Sequence, residues 1–177
     1  DIACVLVDRV YGMLLAVNHL ILKGRRRMGV IDLWGDCERL SGYRTVFEAR
    51  GVDIPSDRIM VKKVMTFAEE AELAYQTAQG FLQSASRPDS IIVTGEASTQ
   101  MVIRAAMETG LKIPRDISII SYSSIAAEGF FSVPVDIIRV PVSEMAKQAV
   151  RLLYSMLSGE TVAERKIMIK PYLQESL

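Results

Sequence analysis

The chain has 177 residues, of which 21 are basic and 21 acidic, so its formal net charge is zero, and half of its residues are hydrophobic. This composition is typical of one globular domain or lobe, and it excludes a strongly basic nucleic-acid-binding surface. If the protein acts on DNA, we expect the part that touches DNA to lie elsewhere. Two cysteines are too few for a disulfide framework, and no apolar run approaches the ~20 residues of a membrane helix.

Strand and helix patterns alternate along the chain. Near-continuous apolar runs, typical of strands buried on both faces, lie at residues 2–7, 28–33, 58–64, 90–94, 117–122, 137–140 and 165–170. Helical patterns, each closed by a glycine, cover residues 11–23, 37–50, 99–109 and 143–158. Helix N-caps are predicted at Asp36, Ser98 and Ser143. The alternation predicts an α/β fold with a doubly wound parallel sheet.

Patterns that carry catalysis or bind metals are missing from the sequence. His19 is the single histidine, and together with Cys4 and Cys37 it cannot supply the ligands of a tetrahedral zinc site. No phosphate-binding glycine loop, dinucleotide-binding glycine pattern or nucleophile elbow occurs. The run at residues 25–27 (RRR) follows a helix C-terminus, where cations oppose the helix dipole, so a structural role is favoured over phosphate contact. The sequence therefore predicts no enzyme, no cofactor and no metal site.

Several short segments occur in an order that is typical of one protein family. They are residues 7–9 (VDR), 22–28 (LKGRRRM), 39–44 (RLSGYR), 51–55 (GVDIP), 110–118 (GLKIPRDIS) and 174–176 (QES). Each segment alone is a weak signal. In this order and at this spacing, the chain resembles the effector-binding domain of the LacI/GalR (lactose-repressor) family of bacterial transcription regulators, from partway through that domain to its end.

The resemblance implies a two-lobed fold, like that of type I periplasmic binding proteins, with a small-molecule effector between the lobes. It assigns residues 10–140 to the C-terminal lobe and residues 1–9 and 141–177, a crossover strand, a helix and a strand, largely to the N-terminal lobe. Asp8 and Val140 would lie where the chain crosses between lobes. Because the chain does not begin with methionine, we expect a fragment that lacks the first part of the N-terminal lobe and the DNA-binding head.

The resemblance also implies positions that contact the effector. Arg39 matches an arginine that reaches the effector, and its guanidinium can hold a carboxylate or sugar hydroxyls in bidentate fashion; the alternative is an ion pair on the helix surface. Phe67 matches an aromatic residue over the ligand, or else is a core phenylalanine. Gly95 and Ser123 stand where the family has an amide and a carboxylate, and Val140 replaces a residue that is commonly polar.

The chemical class of the effector follows from these three replacements. Each buried polar group that loses its partner costs ~1–3 kcal/mol, so a site for a standard sugar would not discard three of them. We therefore predict a less hydroxylated or acidic ligand held by Arg39, or a pocket that has lost its ligand.

A homodimer is the further implication, because members of the family pair side by side through both lobes. The matching positions here are Met101, Arg104, Phe130 and Phe131, although a methionine-rich helical stripe can equally belong to the core. Two consecutive phenylalanines cannot both point inward from an extended strand, where side chains alternate. One of them should therefore meet a partner or a helix.

The leading interpretation is that this chain is the effector-sensing, dimerising domain of a cytoplasmic regulator. The regulator would bind operator DNA through a head outside this chain and would not associate with a membrane. The alternative is an exported solute-binding protein of the same fold. An enzyme with a doubly wound sheet is disfavoured, because the catalytic patterns are missing.

Overall fold

The structure, a computed structural model, describes residues 2–35, 37–124, 129–160 and 164–176. In chain order the strands are β1 (Cys4–Val7), β2 (Met28–Asp32), β3 (Ile59–Val61), β4 (Ser90–Thr94), β5 (Ser118–Ser123), β6 (Asp136–Arg139), β7 (Lys166–Ile169) and β8 (Tyr172–Gln174). The helices are α1 (Arg9–Leu22), α2 (Cys37–Ala49), α3 (Phe67–Gln83), α4 (Glu96–Glu108) and α5 (Val142–Leu157), and a 3-10 turn covers Ser56–Arg58.

A six-stranded sheet carries most of the structure, in the order β3-β2-β4-β5-β6-β8. Each neighbouring pair among β3, β2, β4, β5 and β6 is parallel, and β8 pairs with β6 in antiparallel orientation as the last strand of the sheet. All strand starts of the parallel part therefore lie at one edge, here called the amino edge, and all strand ends at the opposite carboxyl edge. The predicted doubly wound parallel sheet is confirmed.

Helices cover both faces of this sheet because successive strand residues point to opposite sides. Helices α3 and α4 pack over the face that includes Ile31, Val93 and Ile119. Helices α1 and α2 pack over the face that includes Val30, Ile92 and Ile120. Full burial of such a side chain contributes about 1.5–3 kcal/mol, so these two apolar layers hold the carboxyl edge in place.

A second, two-stranded sheet pairs β1 with β7 in parallel, and α5 packs against both of its strands. The chain leaves this sheet at Asp8 to form α1, returns to it through Val140 and α5, and leaves it again after β7 to form β8. The predicted crossing points, Asp8 and Val140, thus lie between elements of different sheets. The assignment of these elements to two lobes stays a prediction.

The structure corrects several predicted elements. Helix α3 and strand β8 were not predicted, and the N-cap predictions at Ser98 and Ser143 are wrong because α4 begins at Glu96 and α5 at Val142. The predicted cap at Asp36 lies outside the described residues. The four glycines predicted to close helices all have positive φ angles, as that position requires: Gly24, Gly51, Gly110 and Gly159.

Hydrogen bonds at the amino edge join loops that are distant in sequence. The guanidinium of Arg25 donates to the Oγ of Ser118 and to the carbonyl oxygens of Pro114 and Arg115. The carboxylate of Asp89 accepts the backbone N–H groups of residues 26 and 27. Arg25, the first residue of the arginine run, therefore has a structural role. It stabilises the amino edge by hydrogen bonds to loop carbonyl oxygens rather than by an interaction with the helix dipole.

Asp136, at the start of β6, is the centre of a second network at the amino edge. Its carboxylate is hydrogen-bonded to His19 Nε2 at 2.9 Å and Lys23 Nζ at 2.8 Å, both on or just after α1. It also accepts the backbone N–H of Ser176 at 3.0 Å. Burial raises the pKa of this carboxyl, but the hydrogen bonds from Lys23, Ser176 and His19 outweigh burial and leave the pKa below its ordinary value.

Candidate functional site

The predicted effector-contacting residues follow the ends of strands, so the fold brings them to the carboxyl edge. Gly95 follows β4, Ser123 ends β5 and Val140 follows β6. Arg39 lies in the first turn of α2, after β2, and Phe67 is the first residue of α3, after β3. In open parallel sheets ligands bind beyond the carboxyl ends of the strands, which makes this edge the candidate site.

A buried carboxylate, Asp32, holds Arg39. Asp32 ends β2 and is completely buried, and Arg39 Nη1 donates to both of its oxygens at 3.3 Å. Tyr43 Oη donates to Asp32 at 2.7 Å, and the backbone N–H of Trp34 donates at 3.1 Å. The alternative of an ion pair is thus present, with a partner that lies inside the protein, although a quarter of the Arg39 side chain remains exposed. Contact between Arg39 and an effector stays a prediction.

The proton of Tyr43 stays on its hydroxyl in this network. Burial, followed by the nearby Asp32 carboxylate, raises the pKa of Tyr43 far above its ordinary value. The raised pKa favours the protonated hydroxyl, which donates to Asp32, and Asp32 in turn accepts the Arg39 guanidinium.

Trp34 and Phe67 form an aromatic pair beside Gly95. Their ring centroids are 5.9 Å apart with planes at 61°, an edge-to-face arrangement. Phe67 is 76% exposed, so the alternative of a core phenylalanine is wrong. An exposed aromatic ring at the carboxyl edge is available to a ligand.

Ser123 is hydrogen-bonded to an acidic side chain, and Gly95 lies beside another. Ser123 Oγ donates to Glu96 at 2.6 Å, and the backbone N–H of Ser124 donates to the same oxygen at 3.0 Å. Gly95 has a φ of 95°, which L side chains rarely adopt, and its Cα faces the carboxylate of Glu70. Carboxylates therefore lie beside both Gly95, which stands where the family has an amide, and Ser123, which stands where the family has a carboxylate.

Tyr122 lies under the start of α1, with its ring against Gly12. A Cβ added at Gly12 would be 2.4 Å from the ring, so only glycine fits there. The guanidinium of Arg9 lies 5.4 Å from the ring centroid. The Tyr122 hydroxyl is buried and has no hydrogen-bond partner among the described residues, and burial raises the pKa of this group.

The crossing points flank this edge. Asp8 caps α1 by accepting the backbone N–H of Tyr11 at 2.9 Å, and the N–H of Val140 donates to the Ser123 carbonyl at 2.9 Å. A cavity of about 460 Å³ lies beside Val140 and includes Ser124 and Arg139 in its walls.

The predicted dimer positions lie on α4 and on the segment that precedes β6. Arg104 pairs with Glu108 at 2.8 Å and lies over the ring of Tyr75, 5.0 Å from its centroid, while Met101 packs against the core. Phe130 is 45% exposed and Phe131 only 9%, so the prediction that the two cannot both point inward is confirmed. Both line a cavity of about 470 Å³ formed mainly by residues 129–135.

Among the residues that the structure describes, no three His, Cys, Asp or Glu side chains are grouped so that they could hold a metal ion. Within the same residues, none of the helices has the length and apolar character needed to span a bilayer.

Several residues of the candidate site were missed by the sequence analysis: Arg9, Asp32, Trp34, Glu70 and Tyr122. One signal was available, because an aspartate directly after a buried apolar strand must have a partner. For Glu70 the signal was weaker: the capping pattern Thr66-x-x-Glu69 indicates only that a helix begins there.

The family of the chain follows from comparison with known proteins. The family model described as a periplasmic binding protein-like domain matches residues 17–175. The chain belongs to this family of periplasmic binding protein-like domains. The resemblance to the effector-binding domain of the LacI/GalR regulators is also confirmed by the relatives.

The relatives share sequence and fold with the chain. It is 26% identical over 182 residues to the HTH-type transcriptional repressor PurR of Klebsiella pneumoniae, covering 99% of this chain and 51% of that protein. A LacI-family regulatory protein from Chloroflexus aggregans has a TM-score of 0.86 at 24% identity, covering 99% and 63% of the two chains. A LacI-family regulator from Arthrobacter sp. FB24 in complex with lactose has a TM-score of 0.81 at 19% identity, covering 96% and 62%. The chain spans about half the length of the curated relatives it matches.

Proposed function

We propose that this chain senses a small-molecule effector and forms a homodimer within a bacterial transcription regulator, which binds operator DNA through a head outside these residues. The observation that supports this proposal most strongly is the grouping of side chains at the carboxyl edge. Polar and aromatic side chains from separate loops meet there, beside the two crossing points. An effector held there would change the relative stability of lobe arrangements, and the head would report that change as altered DNA affinity. This role needs no catalysis and is carried out in the cytoplasm.

The test of this proposal uses the full-length protein and a random-sequence DNA library. A dimeric regulator selects one two-fold-symmetric sequence, because two identical heads bind two half-sites. Failure to enrich any sequence would contradict the regulator proposal. Replacing Phe130→Ser should yield monomers in sedimentation and abolish the enrichment, whereas Leu22→Ser, also at an exposed apolar side chain, should leave both unchanged.

The effector is not a standard pentose or hexose. Gly95, Ser123 and Val140 supply none of the three polar groups expected of a sugar site, and Ser123 is already bonded to Glu96. Asp32 neutralises Arg39, which removes the electrostatic reason for an acidic effector. Micromolar binding of a pentose or hexose to the full-length protein in calorimetry would contradict this part of the proposal.

Replacement of Arg39 should remove the response to the effector without changing the affinity for DNA. The full-length Arg39→Ala variant should keep its operator affinity but lose the response to the effector in a reporter strain. Arg44→Ala is the matched control, because Arg44 is exposed on the same helix and should leave the response intact. If both variants respond like the parent, Arg39 has no part in sensing.

The proposal includes two lobes, with residues 10–140 in the C-terminal one and residues 1–9 and 141–177 largely in the other. The support is the apolar surface of α5, on which Val150, Leu153, Tyr154 and Leu157 are exposed. Such a surface calls for more chain to cover it. Amide hydrogen exchange in α5 should be at least tenfold slower in the full-length protein than in this chain; equal rates would contradict the assignment.

A further inference from the structure

The cavity beside Val140 lies between elements of the two sheets. Its volume is about 460 Å³, which leaves room for a group much larger than a water molecule. One part of its wall comes from β6 and β8 of the six-stranded sheet, through Arg139, Tyr172 and Gln174. The other part is the first turns of α5, which packs against the two-stranded sheet. A ligand in this cavity would therefore contact elements of both sheets at once.

Two cationic side chains line the cavity, and neither is neutralised by an ion pair. Arg139 and Lys147 have no carboxylate within ion-pair distance among the described residues. The Nε and Nη2 atoms of Arg139 donate to the neutral Oε1 of Gln174 at 3.2 and 2.8 Å, which positions the guanidinium without cancelling its charge. Lys147 is exposed on α5, so its ammonium can move toward a ligand in the cavity.

Glu144 is the acidic residue among the described residues that line the cavity, and it does not cancel both positive charges. Its carboxylate accepts the Nε2 of Gln148 at 2.7 Å, along the surface of α5. Two positive side chains and one negative side chain leave the wall of the cavity with a net positive charge. The cavity therefore favours an anion.

The backbone at the start of α5 adds hydrogen-bond donors of the same polarity. Pro141 is the N-cap residue and offers no side-chain acceptor to the helix. The N–H groups of Ser143 and Glu144 have no acceptor in the described part of the chain, whereas the N–H of Met145 donates to the Pro141 carbonyl at 3.0 Å. Free N–H groups at the positive end of a helix dipole bind phosphate and other anions. Here they border a cavity whose side chains carry the same sign of charge.

We infer that this cavity is an anion site for a phosphate group, which Arg139, Lys147 and the N–H groups of Ser143 and Glu144 hold together. The planar guanidinium can bind two phosphate oxygens at once, and the ammonium adds a point charge. The backbone N–H groups bind the remaining oxygens. Four donor groups from two elements suit a tetrahedral dianion better than a single planar carboxylate.

This inference goes beyond the proposed function, because it adds a second ligand site to the protein. The effector-contacting positions Arg39, Phe67 and Gly95 do not line this cavity. A phosphate group bound between β6 and α5 contacts elements of both sheets, so its binding would favour one arrangement of the two sheets over others.

Calorimetric titration of the full-length protein with inorganic phosphate tests the inference. The titration is run at about pH 8, where phosphate is mainly a dianion, and sodium chloride keeps the ionic strength constant. Phosphate should bind saturably with a Kd on the order of millimolar, and acetate should bind at least about fivefold more weakly. The absence of saturable phosphate binding, or equal affinity for acetate, would overturn the inference.

Two variants of α5 locate the phosphate by opposite effects. Lys147→Gln removes a positive charge at an exposed position and should weaken phosphate binding about tenfold. Glu144→Gln removes the repelling carboxylate and should strengthen binding about threefold. A change that only disturbed the helix would not produce opposite signs.

Arg151→Gln is the matched control for these variants. Arg151 is exposed on the same helix, four residues after Lys147, and lies outside the wall of the cavity. Its replacement removes the same charge and should leave phosphate affinity within about twofold. Equal weakening by Lys147→Gln and Arg151→Gln, or unchanged affinity in both Lys147→Gln and Glu144→Gln, would contradict the assignment.

The titration requires neither DNA nor an effector, so its outcome is separate from that of the regulator proposal. If the full-length protein selects an operator but does not bind phosphate, only the anion site is wrong. If phosphate binds as expected but no operator is selected, the anion site stands and the regulator proposal is wrong.

Discussion

The two edges of the six-stranded sheet each contain a buried aspartate, and the two carboxylates are used differently. At the amino edge Asp136 joins side chains of α1 and the backbone of Ser176, which lie 40 to 117 residues away in sequence. At the carboxyl edge Asp32 binds groups only 2 to 11 residues away, and one of them, Arg39, remains partly exposed. Asp136 connects distant segments of the fold, whereas Asp32 orients one side chain toward the candidate site.

The edges also differ in the polar groups that are left without partners. At the carboxyl edge the hydroxyl of Tyr122 is buried and has no hydrogen-bond partner among the described residues. At the amino edge the Nε and Nη1 atoms of Arg58, at the start of β3, are buried and likewise have no partner in the described part of the chain.

The largest effect is expected from Asp32→Ala. The change leaves the buried Tyr43 hydroxyl without its acceptor and removes the counter-charge of Arg39, so unfolding free energy should fall by about 3 kcal/mol. Urea unfolding followed by Trp34 fluorescence measures this. Asp53→Ala, at an exposed aspartate, should change stability by less than about 0.5 kcal/mol. Equal losses in the two variants would remove the distinction between Asp32 and a surface carboxylate.

Gly12→Ala should destabilise the protein by about 2 kcal/mol, because the new methyl group would overlap the Tyr122 ring. Gly80→Ala is the matched control: Gly80 lies within α3 with open space around it, so alanine there should stabilise by about 1 kcal/mol. Calorimetric melting of both variants should show opposite signs. Two shifts of the same sign would mean that Tyr122 does not press on α1.

Asp136→Asn tests the amino edge through pH. The folded-state pKa of Asp136 is lowered, so its contribution to stability is present above the unfolded-state pKa of ~3.9 and is lost as pH falls through the lower folded value. The parent should therefore exceed the variant by about 1.5 kcal/mol near neutral pH, and the difference should shrink below about pH 4. Urea unfolding between pH 2.5 and 6 measures it, with Glu48→Gln as the exposed control. A difference that does not vary with pH would contradict this account.

The smallest effect should have the opposite sign. Tyr122→Phe removes a buried hydroxyl that has no partner in the part of the chain that the structure describes, so stability should rise by about 1 kcal/mol. Thermal unfolding of the variant decides the matter, and a loss of stability would mean that the hydroxyl has an acceptor. A gain in stability accompanied by a weaker effector response would show that the carboxyl edge keeps this group for binding.

The order of strands and helices could be predicted because it depends on local patterns. Buried apolar runs and the glycines after helices are visible in the sequence, and Gly24 and Gly110 have the positive φ expected of them. Helix α3 was missed even though Thr66 and Glu69 form its capping pattern, because it is followed by Ser84 and not by the closing glycine that marked the other helices.

The chemistry of the candidate site could be predicted only in part. The positions that the resemblance assigned to effector contact, Arg39, Phe67 and Gly95, all follow strands at the carboxyl edge, and their contact with an effector stays a prediction. The resemblance could not reveal that Asp32 lies beneath Arg39, or that Glu70 reaches the space above Gly95 from a helix 25 residues earlier in the chain. Such contacts depend on how helices pack on the sheet, and sequence spacing carries no record of that packing.

The pairing of β1 with β7 has a consequence for synthesis of the protein. Cys4 pairs with Lys166, roughly 160 residues later, and β8 joins the larger sheet later still. Neither sheet can therefore be complete until the final segment of this chain has left the ribosome. Strand β1 therefore waits for its β7 partner through most of the synthesis of these residues, which leaves a long interval for capture of that strand edge by chaperones or by strands of neighbouring nascent chains.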